Sequence, residues 1–258
     1  MVRFCYTFKY NPKLNFFGKI YAAVFGKPFI ALYLRSLYFI DFLNKNNKNR
    51  KKFSKILDAG CGEGDFSFYL AKRFPKAGID ACDLYRKDIE ANRKIARNLK
   101  IKNINFFVKN LKSIKGKEKY DLILLMNLLS FNENDDKILS NLHSALKKKG
   151  ILLITDSHIS DKVKIKKTES PHDYRVRKGY SEKKLKKMLE KAEFEVEIRR
   201  FCSGFSYIAH YLDNRIFSFN YFVRGFFAPF LKIFAFVGQK FESRNKGIYV
   251  LAIAKKKK

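Results

Sequence analysis

Ile56–Asp65 reads ILDAGCGEGD, and these ten residues decide the fold. The short apolar run Lys55–Ala59 is a strand pattern that ends in three glycines at alternate positions, Gly60, Gly62 and Gly64. A helical pattern follows at once, with Phe66, Tyr69, Leu70 and Phe74 on one face. Glycine is needed where backbone turns tightly and a ligand comes close. The helix N-terminus that follows offers N–H groups to an anion. The spacing is GxGxG, not the GxGxxG of dinucleotide binders. Asp58 precedes the first glycine, a poor place for a pyrophosphate and a good one for a cationic group.

Outward from this loop, strands alternate with helices. Ala77–Asp83 is strand-like, Arg86–Lys100 is a charged helix with Ile89, Ile95 and Leu99 inward, and Ile104–Val108 is the next strand. Tyr120–Met126 (YDLILLM) is continuously apolar, as expected of a central parallel strand covered on both faces. Asp135–Leu146 is helical and stopped by Lys149-Gly150; Ile151–Thr155 is a further buried strand. A helix opened by Ser181 leads to the strand Phe194–Ile198, and Gly247–Ala254 is the last strand. Such alternation implies right-handed βαβ units and a parallel sheet, with ligands at the carboxyl ends of the strands.

In order, these motifs resemble the class I S-adenosylmethionine (SAM)-dependent methyltransferase family. ILDAGCGEG is similar to its first motif, Cys82-Asp83-Leu84 to its second, FVKNL (107–111) to its third and YDLILLMNLL to its fourth. The resemblance covers roughly 53–200 plus 247–254. It implies an α/β, Rossmann-like, doubly wound, mostly parallel seven-stranded sheet with an antiparallel last strand. It also implies SAM as cofactor, held by Asp58, Gly60, Cys61, Gly62, Gly64, Asp83, Leu84, Asn110, Leu111, Met126 and Asn127. In that reading the SAM carboxylate lies over the Gly62–Asp65 turn. Asp83 grips the ribose hydroxyls, Leu84 and Leu111 enclose adenine, and Asp58 faces the ammonium. Asp80 is the alternative ribose acid. Asn110 stands where the family usually has Asp, and its carbonyl can still accept from the adenine amino group.

The flanks have a different composition. The chain has 258 residues, 55 Lys plus Arg and 24 Asp plus Glu, a net charge of +31. Residues 1–52 hold 11 basic groups and one acid, whereas 53–157 hold 20 and 13. Eight of the 27 Phe lie in 1–43 and eleven in 201–241. The expected organisation is a basic aromatic N-terminal arm or lid (1–52), the SAM-binding core (53–200 plus 247–254), an aromatic-rich helical insert (201–246) and a basic tail (255–258). Asn44–Lys52 reads as a linker. Lys9, Lys13, Lys19 and Lys27 interrupt every apolar run of the N-terminus, which excludes a signal peptide. Arg35 and Asp41 interrupt 28–43, and Asp213, Arg215, Arg224 and Lys232 divide 201–239, so no membrane-spanning helix is expected. The expected location is cytoplasmic, at most peripheral to a membrane. The four cysteines, Cys5, Cys61, Cys82 and Cys202, form no CxxC pair or metal-ligand spacing, and no metal is expected.

The position after the fourth strand reads Met126-Asn127-Leu128-Leu129-Ser130-Phe131, without the proline-aromatic tetrad that orients an exocyclic amine of a base. A small or lipophilic acceptor is therefore the leading expectation, at an anionic membrane surface suggested by flanks both basic and apolar. An RNA or other macromolecular acceptor docked on the basic face, and a non-enzymatic SAM-binding or membrane-associated protein, are the alternatives. The acid–base candidates are His158 and Asp156 after the fifth strand and His172 in PHDYRVRKGY. Arg175 or Arg177 could hold an acceptor phosphate or carboxylate. His143 and His210 are assigned to structure.

Overall fold

A computed structural model of the chain describes residues 15–48, 53–114, 116–160, 176–243 and 245–257. It divides into two compact units, Phe53–Arg200 with Ile248–Lys258, and Met1–Lys52 with Phe201–Gly247.

The larger unit is a seven-stranded sheet. In chain order its elements are β1 (Lys55–Ala59), α3 (Asp65–Arg73), β2 (Gly78–Asp83), α4 (Arg86–Asn98), β3 (Ile104–Val108), β4 (Tyr120–Met126), α5 (Asp135–Ala145), β5 (Leu146–Ser157), α6 (Glu182–Lys191), β6 (Phe194–Phe201) and β7 (Tyr249–Lys256). The strand order is 3-2-1-4-5-7-6. β1 pairs in parallel with β2 and β4, β2 with β3, and β4 with β5, while β7 runs antiparallel to β5. The apolar runs of β1, β4 and β5 are buried along almost their whole length, as covered central strands must be. Leu57, Ile123, Leu152 and Val250 of four strands join Ile138 and Leu142 of α5 and Leu185 and Leu189 of α6 in one core.

Three expectations about element ends are corrected. Helix α5 stops at Ala145, before Lys149-Gly150, because Leu146 already pairs with Tyr120 and opens a twelve-residue β5. Lys149, at φ 60°, and Gly150, where a Cβ would lie 2.7 Å from the Lys147 carbonyl, shape an irregular start to that strand. The last strand runs to Lys256, whose Nζ donates to the Leu146 carbonyl at 2.9 Å, so the solvated tail begins later than its lysine run suggests.

The smaller unit is helical: α1 (Phe16–Phe25), α2 (Ile30–Lys48), α7 (Gly204–Tyr211), a π turn (Leu212–Ile216) and α8 (Tyr221–Lys240). Asn15 caps α1, accepting from the Gly18 N–H, and Gly26 at φ 73° ends it. The assumed linker from Asn44 is helical as far as Lys48, as α2 simply continues through its polar end. Of the charges expected to divide 201–239, Asp213 and Arg215 fall in the π turn between α7 and α8, whereas Arg224 and Lys232 lie inside α8 without breaking it. Asp213, fully buried, takes both Arg224 Nε (2.7 Å) and Nη2 (2.6 Å) and accepts the Ile30 N–H that opens α2. Lys232 sinks its ammonium under the carbonyls of Phe25 and Lys27, each at 2.6 Å. With its charges satisfied inside the unit, α8 is one continuous helix of 20 residues. It and the segment Phe16–Asn46 are long and apolar enough, by length and composition alone, to cross a membrane, a test that their charges were expected to make them fail. Core helices of globular proteins share that property.

Candidate active site

The glycine loop, β2 and the segment after β4 meet at the carboxyl ends of β1, β2 and β4. Gly60, Gly62 and Gly64 all take positive φ, at 81°, 49° and 77°. The loop is pinned to β2 by the Cys82 carbonyl, which accepts the Gly60 N–H at 2.8 Å and the Cys61 N–H at 2.9 Å. Asp83, ending β2, accepts the Gly62 N–H at 2.9 Å on Oδ2 and the Tyr85 N–H at 3.1 Å on Oδ1. The loop and the acid are thus one assembly. Asp80 is engaged elsewhere, with Lys55, Lys119 and the Tyr120 hydroxyl each at 2.8 Å. Burial works to raise its pKa, but Lys119, Lys55 and Tyr120 outweigh it and hold the carboxylate below its ordinary value.

Each glycine meets a different environment. A Cβ on Gly60 would lie 2.0 Å from Leu128 Cδ2, because the leucine after β4 packs onto the loop. On Gly64 it would press at 3.0–3.1 Å on the Asn92 amide. On Gly62 it would meet nothing within 4 Å among the described residues. Among the described residues, then, nothing covers the loop at Gly62, whose N–H donates to Asp83.

Asp58 is buried and accepts from Ser67 Oγ, on α3, at 2.5 Å. Burial pushes its pKa up to about 7, with the Ser67 bond opposing and the Asp83 and Asp65 carboxylates adding to the rise. Cys61 and Cys82 are buried beside it; burial pushes both thiols up, Cys82 to about 12. Neither is a nucleophile near neutral pH.

The remaining expected cofactor contacts border the same region. The Lys109 N–H binds the Asp83 carbonyl at 2.9 Å, which sets Asn110 beside the end of β2. Asn110 Oδ1 accepts the Lys112 N–H at 2.9 Å, capping a short 3-10 turn that starts at the buried Leu111. Leu84 is exposed, at 57%. Met126 ends β4 against the Thr155 hydroxyl, and Asn127 takes φ 55° with its N–H on the Thr155 carbonyl at 2.7 Å.

Of the acid–base candidates, His172 lies outside the described residues, as does Arg175. His158 follows β5, its N–H on the Ile248 carbonyl at 2.7 Å and its backbone bridged to Tyr180. Asp156 is fully buried; Oδ2 accepts the Ser130 N–H at 2.9 Å and Oδ1 the Ser157 N–H at 2.8 Å. Its visible work is to hold the segment after β4. The Ser130 carbonyl in turn accepts the N–H groups of Val176 and Arg177. Arg177 is turned inward, pairing with Asp135 and donating to the buried Tyr180 hydroxyl at 2.6 Å. Burial lowers the pKa of His143 and of His210. His143 packs edge-on against Phe194 and His210 lies 2.9 Å from the Asn214 amide, both structural settings.

Sequence reading missed three supports. Asn92, almost wholly buried, donates to the Gly62 carbonyl at 2.8 Å and props the loop. Its signal is visible in retrospect: Asn92 shares an inward face with Ile89 and Ala96, and a polar side chain in an apolar stripe needs a partner. Ser67 and Leu128 carry no such mark.

This sheet order, with a glycine loop after β1 and an acid at the end of β2, defines a class I SAM-dependent methyltransferase fold. The chain belongs to the family described as "Methyltransferase domain", whose model matches residues 50–193. It is 33% identical over 97 residues to malonyl-(acyl-carrier protein) O-methyltransferase 1 of Ilyobacter polytropus, covering 37% of this chain and 35% of that protein. It is 28% identical over 146 residues to the ubiquinone biosynthesis O-methyltransferase of Pelagibacter ubique, covering 57% and 55%. The matched region thus spans between about a third and about half of these curated relatives. Among solved structures, a Haemonchus contortus phosphoethanolamine N-methyltransferase, complexed with phosphomonomethylethanolamine and S-adenosylhomocysteine, aligns with TM-score 0.57 at 14% identity, over 81% of this chain and 50% of that one. The cofactor of this family is SAM. The loop is compatible with it: among the described residues nothing covers Gly62, and the Asp83 carboxylate stands beside the loop.

Proposed function

We propose that the protein transfers a methyl group from SAM to a small lipophilic acceptor at a membrane surface. Bound SAM supplies an electrophilic methyl on a sulfonium. The chain's contribution is positioning. In this reading Asp83 accepts the ribose hydroxyls and Asp58 in its ionised form faces the ammonium. Leu84 and Leu111 bracket adenine beside Asn110, and Met126 and Asn127 border the methyl. His158 takes a proton from the acceptor where it has one to lose, with His172 the second candidate. Asp156 acts through the segment it holds.

The observation that carries the acceptor class is the exposed aromatic surface of the helical unit. Phe222 is 84% exposed, Phe219 79%, Phe226 68% and Phe230 63%. Large exposed apolar residues clustered on one element often mark an interaction or membrane surface. Of the named relatives, the one acting in ubiquinone biosynthesis supports a lipophilic acceptor, while the other acts on an acyl-carrier-protein conjugate.

The test is incubation of the protein with radiolabelled SAM and separated lipid, small-molecule and RNA fractions of a cell extract. Label in the lipid fraction, lost with Asp83→Ala, is expected. Label confined to RNA or to water-soluble metabolites would overturn the acceptor class.

A further inference from the structure

We propose that the outward face of α8 is a docking surface that seats this helix in the plane of an anionic bilayer; this rests on the membrane-surface reading above and specifies it.

The outward side of α8 is apolar, and its inward side is apolar apart from the satisfied Arg224 and Lys232. Its inward side, Ala228, Leu231, Lys232, Ala235 and Gly238, is buried in the helical unit. Packing there is close: a Cβ on Gly238 would lie 2.7 Å from the Ser206 nitrogen of α7. At 100° per residue, Phe222, Phe226, Phe230, Ile233 and Val237 fall on the opposite side. Their exposures are 84, 68, 63, 61 and 43%. A helix on a water-facing surface normally turns charge outward at these positions. Here the outward stripe carries no charge before Lys240. An exposed stripe of this length without charge is best satisfied by a non-aqueous environment on its outer side.

Length does not decide between lying in and crossing the bilayer, since 20 residues span about 30 Å, close to the hydrocarbon thickness. Packing does. A crossing helix would have to leave the contacts that run along its inward side. It would also carry Lys232, now under the Phe25 and Lys27 carbonyls, into hydrocarbon. Lying flat keeps every inward contact and buries only the outward stripe.

Charge selects the surface. Residues 1–52 and 201–247 together hold 17 Lys plus Arg against 3 Asp plus Glu. Lys19, Arg215, Lys240 and Lys246 of this unit are exposed. Lys240 Nζ lies 5.1 Å from the Phe236 ring centroid, an ammonium placed at the rim of an aromatic surface. Anionic headgroups complement that charge.

The chain has no tryptophan, so one introduced Trp reports alone. Single variants Phe222→Trp, Phe226→Trp, Phe230→Trp and Val237→Trp are mixed with vesicles of phosphatidylglycerol and phosphatidylcholine, or of phosphatidylcholine alone, and quenched with brominated lipids. Expected are blue shifts with anionic vesicles only, and one shallow depth for all four positions. Phe226→Glu with Phe230→Glu should weaken vesicle partitioning by at least about tenfold while SAM affinity stays unchanged. Four outcomes count against this account. No vesicle binding by the wild type removes the membrane reading itself. Vesicle binding with all four Trp still open to aqueous iodide keeps that reading and removes α8 from it. Depths graded from 222 to 237 mean a crossing helix. Trp shielded without lipid in a species of dimer mass means that a second copy covers the stripe.

Discussion

Asp58 links cofactor binding to protons. Its carboxyl is buried on Ser67 with a pKa near 7, so at pH 6 it is mostly protonated in the free protein. If the SAM ammonium is received by the ionised form, binding must release that proton. With a free pKa of about 7 and a bound pKa well below 6, affinity should rise about tenfold between pH 6 and pH 8, about 1.4 kcal/mol. The SAM amino group itself loses a proton near pH 8. Asp58→Asn shares that titration and lacks the carboxyl, so the ratio of wild-type to variant affinity isolates Asp58. Calorimetry at pH 6 in buffers of different ionisation enthalpy should count nearly one proton released by the wild type and none by the variant. A flat ratio across this range, or proton uptake, refutes the assignment. For stability the sign is opposite. The folded state holds this proton more tightly than the unfolded chain, so Asp58 makes the ligand-free protein lose stability as pH rises from about 4 to about 7 and adds no further change above.

Gly60→Ala and Gly62→Ala should separate packing from binding. The first adds left-handed strain to a collision with Leu128 and should cost about 2–4 kcal/mol in denaturant unfolding, partly recovered by Leu128→Ala. The second carries only the strain, about 1 kcal/mol, yet should abolish detectable SAM binding because its methyl enters the open space beside Asp83. In the helical unit, Asp213→Ala strands the Arg224 guanidinium and removes the cap on Ile30. A loss of about 3–5 kcal/mol is expected by chemical denaturation, with little change in SAM affinity.

The sheet was legible because its strands are marked by composition. YDLILLM and ILLIT are too continuously apolar for anything but covered strands, and GCGEG fixes where β1 ends and α3 begins. Boundaries set by pairing were not legible. Nothing local in LKKKG announces a strand; Leu146 is in β5 because Tyr120 lies opposite. Charge was misleading in the helical unit, since Arg224 and Lys232 read as exposed breaks until Asp213 and two distant carbonyls are seen to take them. At the site, residues that ligate through motif positions could be named in advance, whereas Asn92, Ser67 and Leu128 act through contacts 9 to 68 residues away in sequence.

The central claim is that the Gly60–Gly64 loop and Asp83 together hold SAM. Calorimetric titration of SAM into the wild type, Asp83→Asn and Asp83→Ala tests it most directly. Asp83→Asn keeps an acceptor for the Gly62 N–H, so it separates loss of the loop bond from loss of the ribose grip. A carboxylate accepting two hydroxyls contributes about 1.5–3 kcal/mol per bond. Asp83→Ala should therefore weaken SAM by at least about 100-fold, and Asp83→Asn by at least about tenfold, with both variants folded. Equal SAM affinity in the three proteins would contradict the account.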